Sequence, residues 1–140
     1  EELLGDLKKL FPSRDIHYIY RTEDADKILM LDRSQIEQVL INLLKNAGEA
    51  CAEQEAPEVV ITTHYEKEKQ VFMLTVSDNG SGILPDVLDK IFVPFFTTKP
   101  TGSGIGLSLC KQIMNLHGGS ISVSSEIGKG SCFSLKFLCR

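Results

Sequence analysis

No apolar run in this sequence approaches the ~18–20 residues needed to span a bilayer, and no signal peptide is recognisable at its start. No segment concentrates lysine and arginine: 15 basic residues stand against 19 acidic ones, a net charge of −4. The footprint of a nucleic-acid binder is therefore missing, and any phosphate site must be local, built from backbone amides and a few cations. The four cysteines, Cys51, Cys110, Cys132 and Cys139, form no CxxC pair and show no cysteine–histidine metal spacing. Each lies in an apolar run and is expected to be a small buried hydrophobe, which points to a reducing compartment. Glycine is scarce in the first half: nine of the eleven follow Asn79, in close groups. Glycine permits positive φ and close backbone approach to a ligand, so the second half is built around special turns. What remains is ordinary for one globular domain with a sizeable core: 140 residues, 42% hydrophobic and 24% charged. The chain begins at Glu1 without a methionine and is read as a piece of something longer.

Leu3, Leu4, Leu7 and Leu10 recur at helical spacing until Pro12. Residues 16–21 are rich in β-formers and read as a strand, and residues 27–30 as a second short one. Asp32 or Ser34 caps a long helix whose stripe is Ile36, Val39, Leu40, Leu43, Leu44 and Ala47. Gln54 to Pro57 closes it. Two strands follow at 58–65 and 70–77, joined by the charged turn Glu66-Lys67-Glu68-Lys69. Residues 79–106 are interrupted by Gly and Pro, with only a short helix near Asp86–Ile91; so long a loop is uncommon in a compact domain unless it is functional. A second amphipathic helix, Leu107 to Leu116, is stopped by Gly118-Gly119. Residues 120–125 and 131–138 form a last hairpin across Gly128-Lys129-Gly130. No internal repeat is visible. The order implies a two-layer α/β sandwich, a mixed, mostly antiparallel sheet with its helices on one face.

Three groups of residues carry chemistry. Asn42, Asn46 and Glu49 share one face of the long helix. Asparagine is a poor helix former, so the pair reads either as exposed polar residues or as the wall of a ligand site, where an amide oxygen suits a hard cation such as Mg²⁺. Asp78-Asn79-Gly80-Ser81-Gly82-Ile83 ends a strand. It reads as a plain turn or as a carboxylate placed to accept a hydrogen bond from a ligand's amino group. Gly102-Ser103-Gly104-Ile105-Gly106-Leu107 runs straight into a helix, an arrangement that offers amides and the positive dipole end to an anion. It is neither a dinucleotide fingerprint nor a Walker A loop. Lys99 stands just upstream as a candidate cation for phosphate charge.

In this order and spacing the three groups resemble the ATP-binding catalytic domain of sensor histidine kinases, within the wider superfamily of gyrase, Hsp90 and MutL. Asp32 and then Gln38 to Ala47 are similar to the family's N box, residues 78–83 to its G1 box, Ile91 to Phe96 with Thr97-Thr98-Lys99 to its F box, and residues 102–107 to its G2 box. His117-Gly118-Gly119 through Phe133 resembles its usual ending. The resemblance covers roughly residues 16–138 and implies a single domain over 1–140 with the Bergerat fold, residues 1–12 a linker-helix remnant and residues 84–104 an ATP lid.

That resemblance also assigns roles. Asn46 is the implied Mg²⁺ ligand, and Asn42 lines the phosphate side. Asp78 receives the adenine amino group, Gly80, Gly82 and Ile83 lie along the base, and Ser131 supports adenine with Asp78. Thr98 and Lys99 belong to the phosphate side, Lys99 at the γ-phosphate, and the amides of Ser103 to Leu107, after Gly102, cradle the phosphates through Gly104, Ile105 and Gly106. In the gyrase, Hsp90 and MutL branch a glutamate one turn before the Mg²⁺-binding asparagine activates water. Here that position is Asn42, and an amide takes no proton at neutral pH. Glu49 shares the face but follows Asn46, a poor place for a base. Asn42 and Lys99 are then the catalytic candidates, and ATP is held for transfer to a histidine on a separate dimerisation domain. His17, His64 and His117 lack the context of an acceptor and read as structural or surface residues. The expected partners are that dimerisation domain and, indirectly, a response regulator, with no nucleic acid or membrane contact. The expected fragment is monomeric and cytoplasmic. The competing reading is a gyrase/Hsp90/MutL-type ATPase.

Overall fold

The computed structural model of this chain describes residues 16–22, 31–96 and 106–138. The expected N-terminal leucine helix and the short strand at 27–30 lie outside the described residues. Strand β1 spans His17–Thr22 and helix α1 Arg33–Cys51; β2 (Glu58–Glu66) and β3 (Val71–Asp78) follow. Then come the short α2 (Pro85–Leu88), helix α3 (Gly106–Leu116), and the hairpin of β4 (Ser120–Glu126) and β5 (Gly130–Leu138). The sheet order is β1-β2-β3-β5-β4, with β1 parallel to β2 and every other pair antiparallel. The parallel pair requires a crossover, and α1 supplies it. This is the expected two-layer architecture with a mixed, mostly antiparallel sheet.

Capping decides where α1 begins. Asp32 has extended backbone, and its Oδ1 accepts from Gln35 N–H at 3.2 Å and from Ser34 Oγ at 2.8 Å. Those bonds hold its carboxyl below the usual range, so Asp32 and not Ser34 is the cap. The imidazole of His117 completes the corner. Its Nε2 accepts from Asp32 N–H at 3.2 Å and its Nδ1 donates to Ile113 O at 2.9 Å, tying the start of α1 to the end of α3. Helix α3 stops in a Schellman arrangement: Gly119 N–H reaches Met114 O at 2.9 Å, Gly118 N–H reaches Asn115 O at 3.1 Å, and Gly118 takes φ 68°.

The apolar stripe of α1, with Val39 and Leu43 fully buried, packs with Cys110, Ile113 and Met114 of α3 on one face of the sheet. That face presents Val59, Ile61, Leu74, Val76, Phe133 and Leu135 in alternation. Each such side chain contributes roughly 1.5–3 kcal/mol through burial. Cys51 and Cys110 are buried here as expected, and burial pushes the Cys110 thiol up to about 11. Cys132 is only half-buried. It alternates with inward-facing Phe133 and so falls on the opposite face with Thr62, Thr75 and Ser134, which corrects the expectation of burial. Cys139 lies outside the described residues. The short helix also differs from expectation. It covers Pro85–Leu88 and then gives way to i→i+3 turns through Lys90, Val93 and Phe96, which seat Ile91 in the core and leave Phe95 75% exposed at φ 69°.

Candidate functional site

The site is built along α1. Asn42, Asn46 and Glu49 are all half-buried on it, away from the fully buried stripe. Against the middle of α1, at Asn42, lies the N-terminus of α3. Asn42 Nδ2 donates to Gly106 O at 3.4 Å and approaches Cys110 Sγ at 3.7 Å, while Cys110 Sγ in turn reaches Val39 O at 3.8 Å. The first-turn N–H groups of α3 have no partner inside the helix, and the positive end of its dipole lies there. Gly106 and Leu107 open that helix, with Leu107 half-buried against the core.

At the C-terminal end of the same helix lies the loop after β3. Gly80 packs so closely on α1 that a Cβ there would strike the Ala50 carbonyl, and Gly82, at φ 86°, faces Glu126 O with no room for a side chain. Asn42 and Ala50 are separated along the helix by about 12 Å at 1.5 Å per residue. Asp78 ends β3 facing the helices and is 8% exposed. Its Oδ1 accepts from Gly80 N–H at 2.9 Å. Burial raises its pKa, partly opposed by hydrogen bonds from the backbone N–H groups of Gly80 and Ser131. Among the described residues no lysine, arginine or histidine pairs with it. The sheet sets Ser131, also buried, directly opposite Asp78.

Two contributors were not singled out in the sequence. Asn79 fixes the entry to the loop: its Oδ1 accepts from Glu58 N–H at 2.9 Å and its Nδ2 donates to Ala56 O at 2.8 Å. Ser125 on β4 accepts from Ile83 N–H at 2.7 Å. The Asp-Asn-Gly signature pointed to the turn but not to the strand its asparagine would grip. Ser125 lies beyond any local motif. Ile83 itself packs its side chain on the core. Thr98, Lys99, Gly102, Ser103, Gly104 and Ile105 lie outside the described residues. Among the described residues, no three His, Cys, Asp or Glu side chains gather to hold a metal. The oxygen donors on the Asn46 face of α1 are the amides of Asn42 and Asn46 and the carboxylate of Glu49, hard ligands that fit Mg²⁺. A separate groove of about 430 Å³ runs between Phe92, Pro94 and the α3 side chains Ser108, Lys111, Gln112 and Leu116; neither Asp78 nor Asn46 lines it.

Residues 31–140 match the family described as Histidine kinase-, DNA gyrase B-, and HSP90-like ATPase. The chain is 42% identical over 120 residues to Sensor protein FixL of Bradyrhizobium diazoefficiens, covering 86% of this chain and 24% of that protein. It is 40% identical over 123 residues to Sensor histidine kinase ZraS of Escherichia coli K12, covering 88% of this chain and 26% of that protein. The chain thus spans about a quarter of the length of these relatives. Among solved structures, the nucleotide-free catalytic domain of histidine kinase ThkA superposes with a TM-score of 0.86 at 34% identity, covering 99% of this chain and 91% of that one. Full-length ShkA in complex with AMPPNP matches at TM-score 0.84 and 26% identity, over 97% of this chain and 29% of that one. By fold, by motif order and by kinship, the chain belongs to the histidine kinase-, DNA gyrase B- and HSP90-like ATPase family and corresponds to the ATP-binding catalytic domain of sensor histidine kinases.

Proposed function

We propose that this single domain holds Mg²⁺-ATP with its base at Asp78 and its phosphates at the N-terminus of α3, and passes the γ-phosphoryl to a histidine on a separate dimerisation domain. The observation that carries the reading is the buried Asp78 carboxylate, with no cationic partner among the described residues, set beside a glycine loop at the C-terminal end of α1 while a helix N-terminus lies against the middle of α1 at Asn42. An exocyclic amine is the donor such a carboxylate lacks. Asp78 and Ser131 orient adenine, and Gly80 and Gly82 keep the backbone close to the base. Asn46 ligates the metal, with Asn42 and Glu49 on the same face. The metal, when bound, neutralises phosphate charge. The amides of Gly102 to Leu107, together with Thr98 and Lys99, complete the phosphate side, and residues 84–104 act as the lid. Catalysis is then positioning and charge neutralisation.

Asn42 also favours transfer over hydrolysis, because its amide accepts no proton from water and already donates to Gly106. The gyrase/Hsp90/MutL-type ATPase is the second reading and would need a base that position 42 does not provide. The domain acts in the cytoplasm, with a response regulator downstream of the phosphohistidine.

Calorimetric titration tests this. The chain is expected to bind ADP and a non-hydrolysable ATP analogue with micromolar affinity, about −8 kcal/mol. The magnesium dependence should be lost in Asn46→Ala, and GTP should bind far more weakly. Equal binding of ATP and GTP, or magnesium dependence that survives in Asn46→Ala, would overturn the corresponding assignment.

A further inference from the structure

Three strands set a row of polar residues on the helix-facing side of the sheet: Asp78 on β3, Ser131 on β5 and Ser125 on β4, each opposite the next. Ser125 Oγ lies 2.7 Å from Ile83 N, 3.0 Å from Gly130 O and 3.0 Å from Ser131 Oγ. A hydroxyl has one proton and two lone pairs, so three partners leave it little choice. Ile83 N–H can only donate, which uses one lone pair. The carbonyl of Gly130 can only accept, which uses the proton. Ser131 must then donate into the second lone pair of Ser125. Its own proton is turned away from Asp78, and its lone pairs are left on the site side.

We propose that Ser125 is a positioning residue that sets purine selectivity, by anchoring the 79–83 loop through Ile83 N–H and by holding Ser131 as an acceptor beside Asp78. Two acceptors match the two N–H bonds of adenine's 6-amino group and oppose the 6-carbonyl oxygen of guanine when the base is seated with its 6-position at Asp78. The loop anchored through Ile83 N–H is what keeps guanine from shifting its N1–H and 2-amino donors onto the same pair. A second clasp keeps the geometry: Gly128 N–H donates to Ser81 O at 2.9 Å, so the β4–β5 turn grips the loop at two points. The inference rests on the adenine end of the proposed site being where Asp78 stands.

The test compares ATP and GTP affinities of the parent with those of Ser125→Ala, Ser125→Val and Ser125→Thr, alongside hydrogen exchange at the Ile83 amide. In Ala and Val variants, ATP affinity is expected to fall about three- to tenfold, the worth of one or two neutral hydrogen bonds. The ratio of ATP to GTP affinity should narrow, and Ile83 should lose protection. Thr, nearly isosteric with Val but carrying the hydroxyl, should rescue all three. An unchanged ATP-to-GTP ratio in the Ala or Val variant overturns the proposal, as does rapid exchange at Ile83 in the parent protein, a result that needs no variant. Failure of the parent to prefer ATP would instead strike the underlying site assignment.

Discussion

In the proposed site, Asp78 sets stability against binding within one side chain. The charged form is less favoured in the folded protein than in the unfolded chain, because burial raises its pKa. The native state therefore binds a proton more readily, and stability falls as pH rises from the ordinary carboxylate range through the raised value. Above the raised value that cost is fully present. Asp78→Asn removes it while keeping an Oδ1 to accept from Gly80. The variant is expected to melt at the parent's temperature or above at neutral pH and to lose this part of the pH dependence. Its ATP affinity should be weaker by about 1–3 kcal/mol, the value of a hydrogen bond to a charged group. Thermal melts across pH with parallel calorimetry measure both; a lower melting point with undiminished affinity would contradict the role. The Asp78 position was legible because a carboxylate at a strand end beside paired glycines is a local pattern. The grips of Asn79 and Ser125 were not, since each depends on a partner brought in from another strand.

At the scale of elements, α1 is a ruler with the N-terminus of α3 against its middle, at Asn42, and the glycine loop against its C-terminal end, at Ala50. Its stripe was readable because the 3.6-residue period is intrinsic to the helix, and the Asp32 cap fixed which of two candidates starts it. Its contact with the loop was not readable: only the folded chain shows that Gly80 lies on the Ala50 carbonyl. Gly80→Ala is expected to push the loop off α1, destabilising the fold by about 1–3 kcal/mol as overpacking does and weakening nucleotide binding. Denaturant melts and titration would check this; a variant as stable as the parent would mean that the loop has room to shift. The 86–91 helix fell short because Pro85 starts a helix well but the chain then follows i→i+3 turns that bury Ile91.

The molecule as a whole places its histidines where none resembles an acceptor on a helix. His17 is exposed on β1, His64 is exposed on β2, and His117 is engaged with both Asp32 and Ile113. Incubated with γ-labelled ATP and magnesium, this chain is expected to stay unlabelled. Acid-labile phosphate should appear on a histidine-bearing dimerisation segment added in trans. Label on the chain alone would move the acceptor into the domain. Among the described residues no helix is long and apolar enough to cross a membrane.

The sequence by itself determined the long helices and the strands among the described residues, the apolar stripe of α1 and the order of the motifs, because helical and strand periods and glycine or proline stops are local properties of the backbone. Only the tertiary structure decided that β5 inserts between β3 and β4, setting Ser131 beside Asp78 and Ser125 beside Ser131. Strand order and register are settled by which apolar faces meet under the helices, and a slip of one residue would turn the whole Asp78–Ser131–Ser125 row to the opposite face. The same packing seats α3 against Asn42 and the glycine loop against Ala50, contacts between segments far apart in the chain that no local pattern encodes.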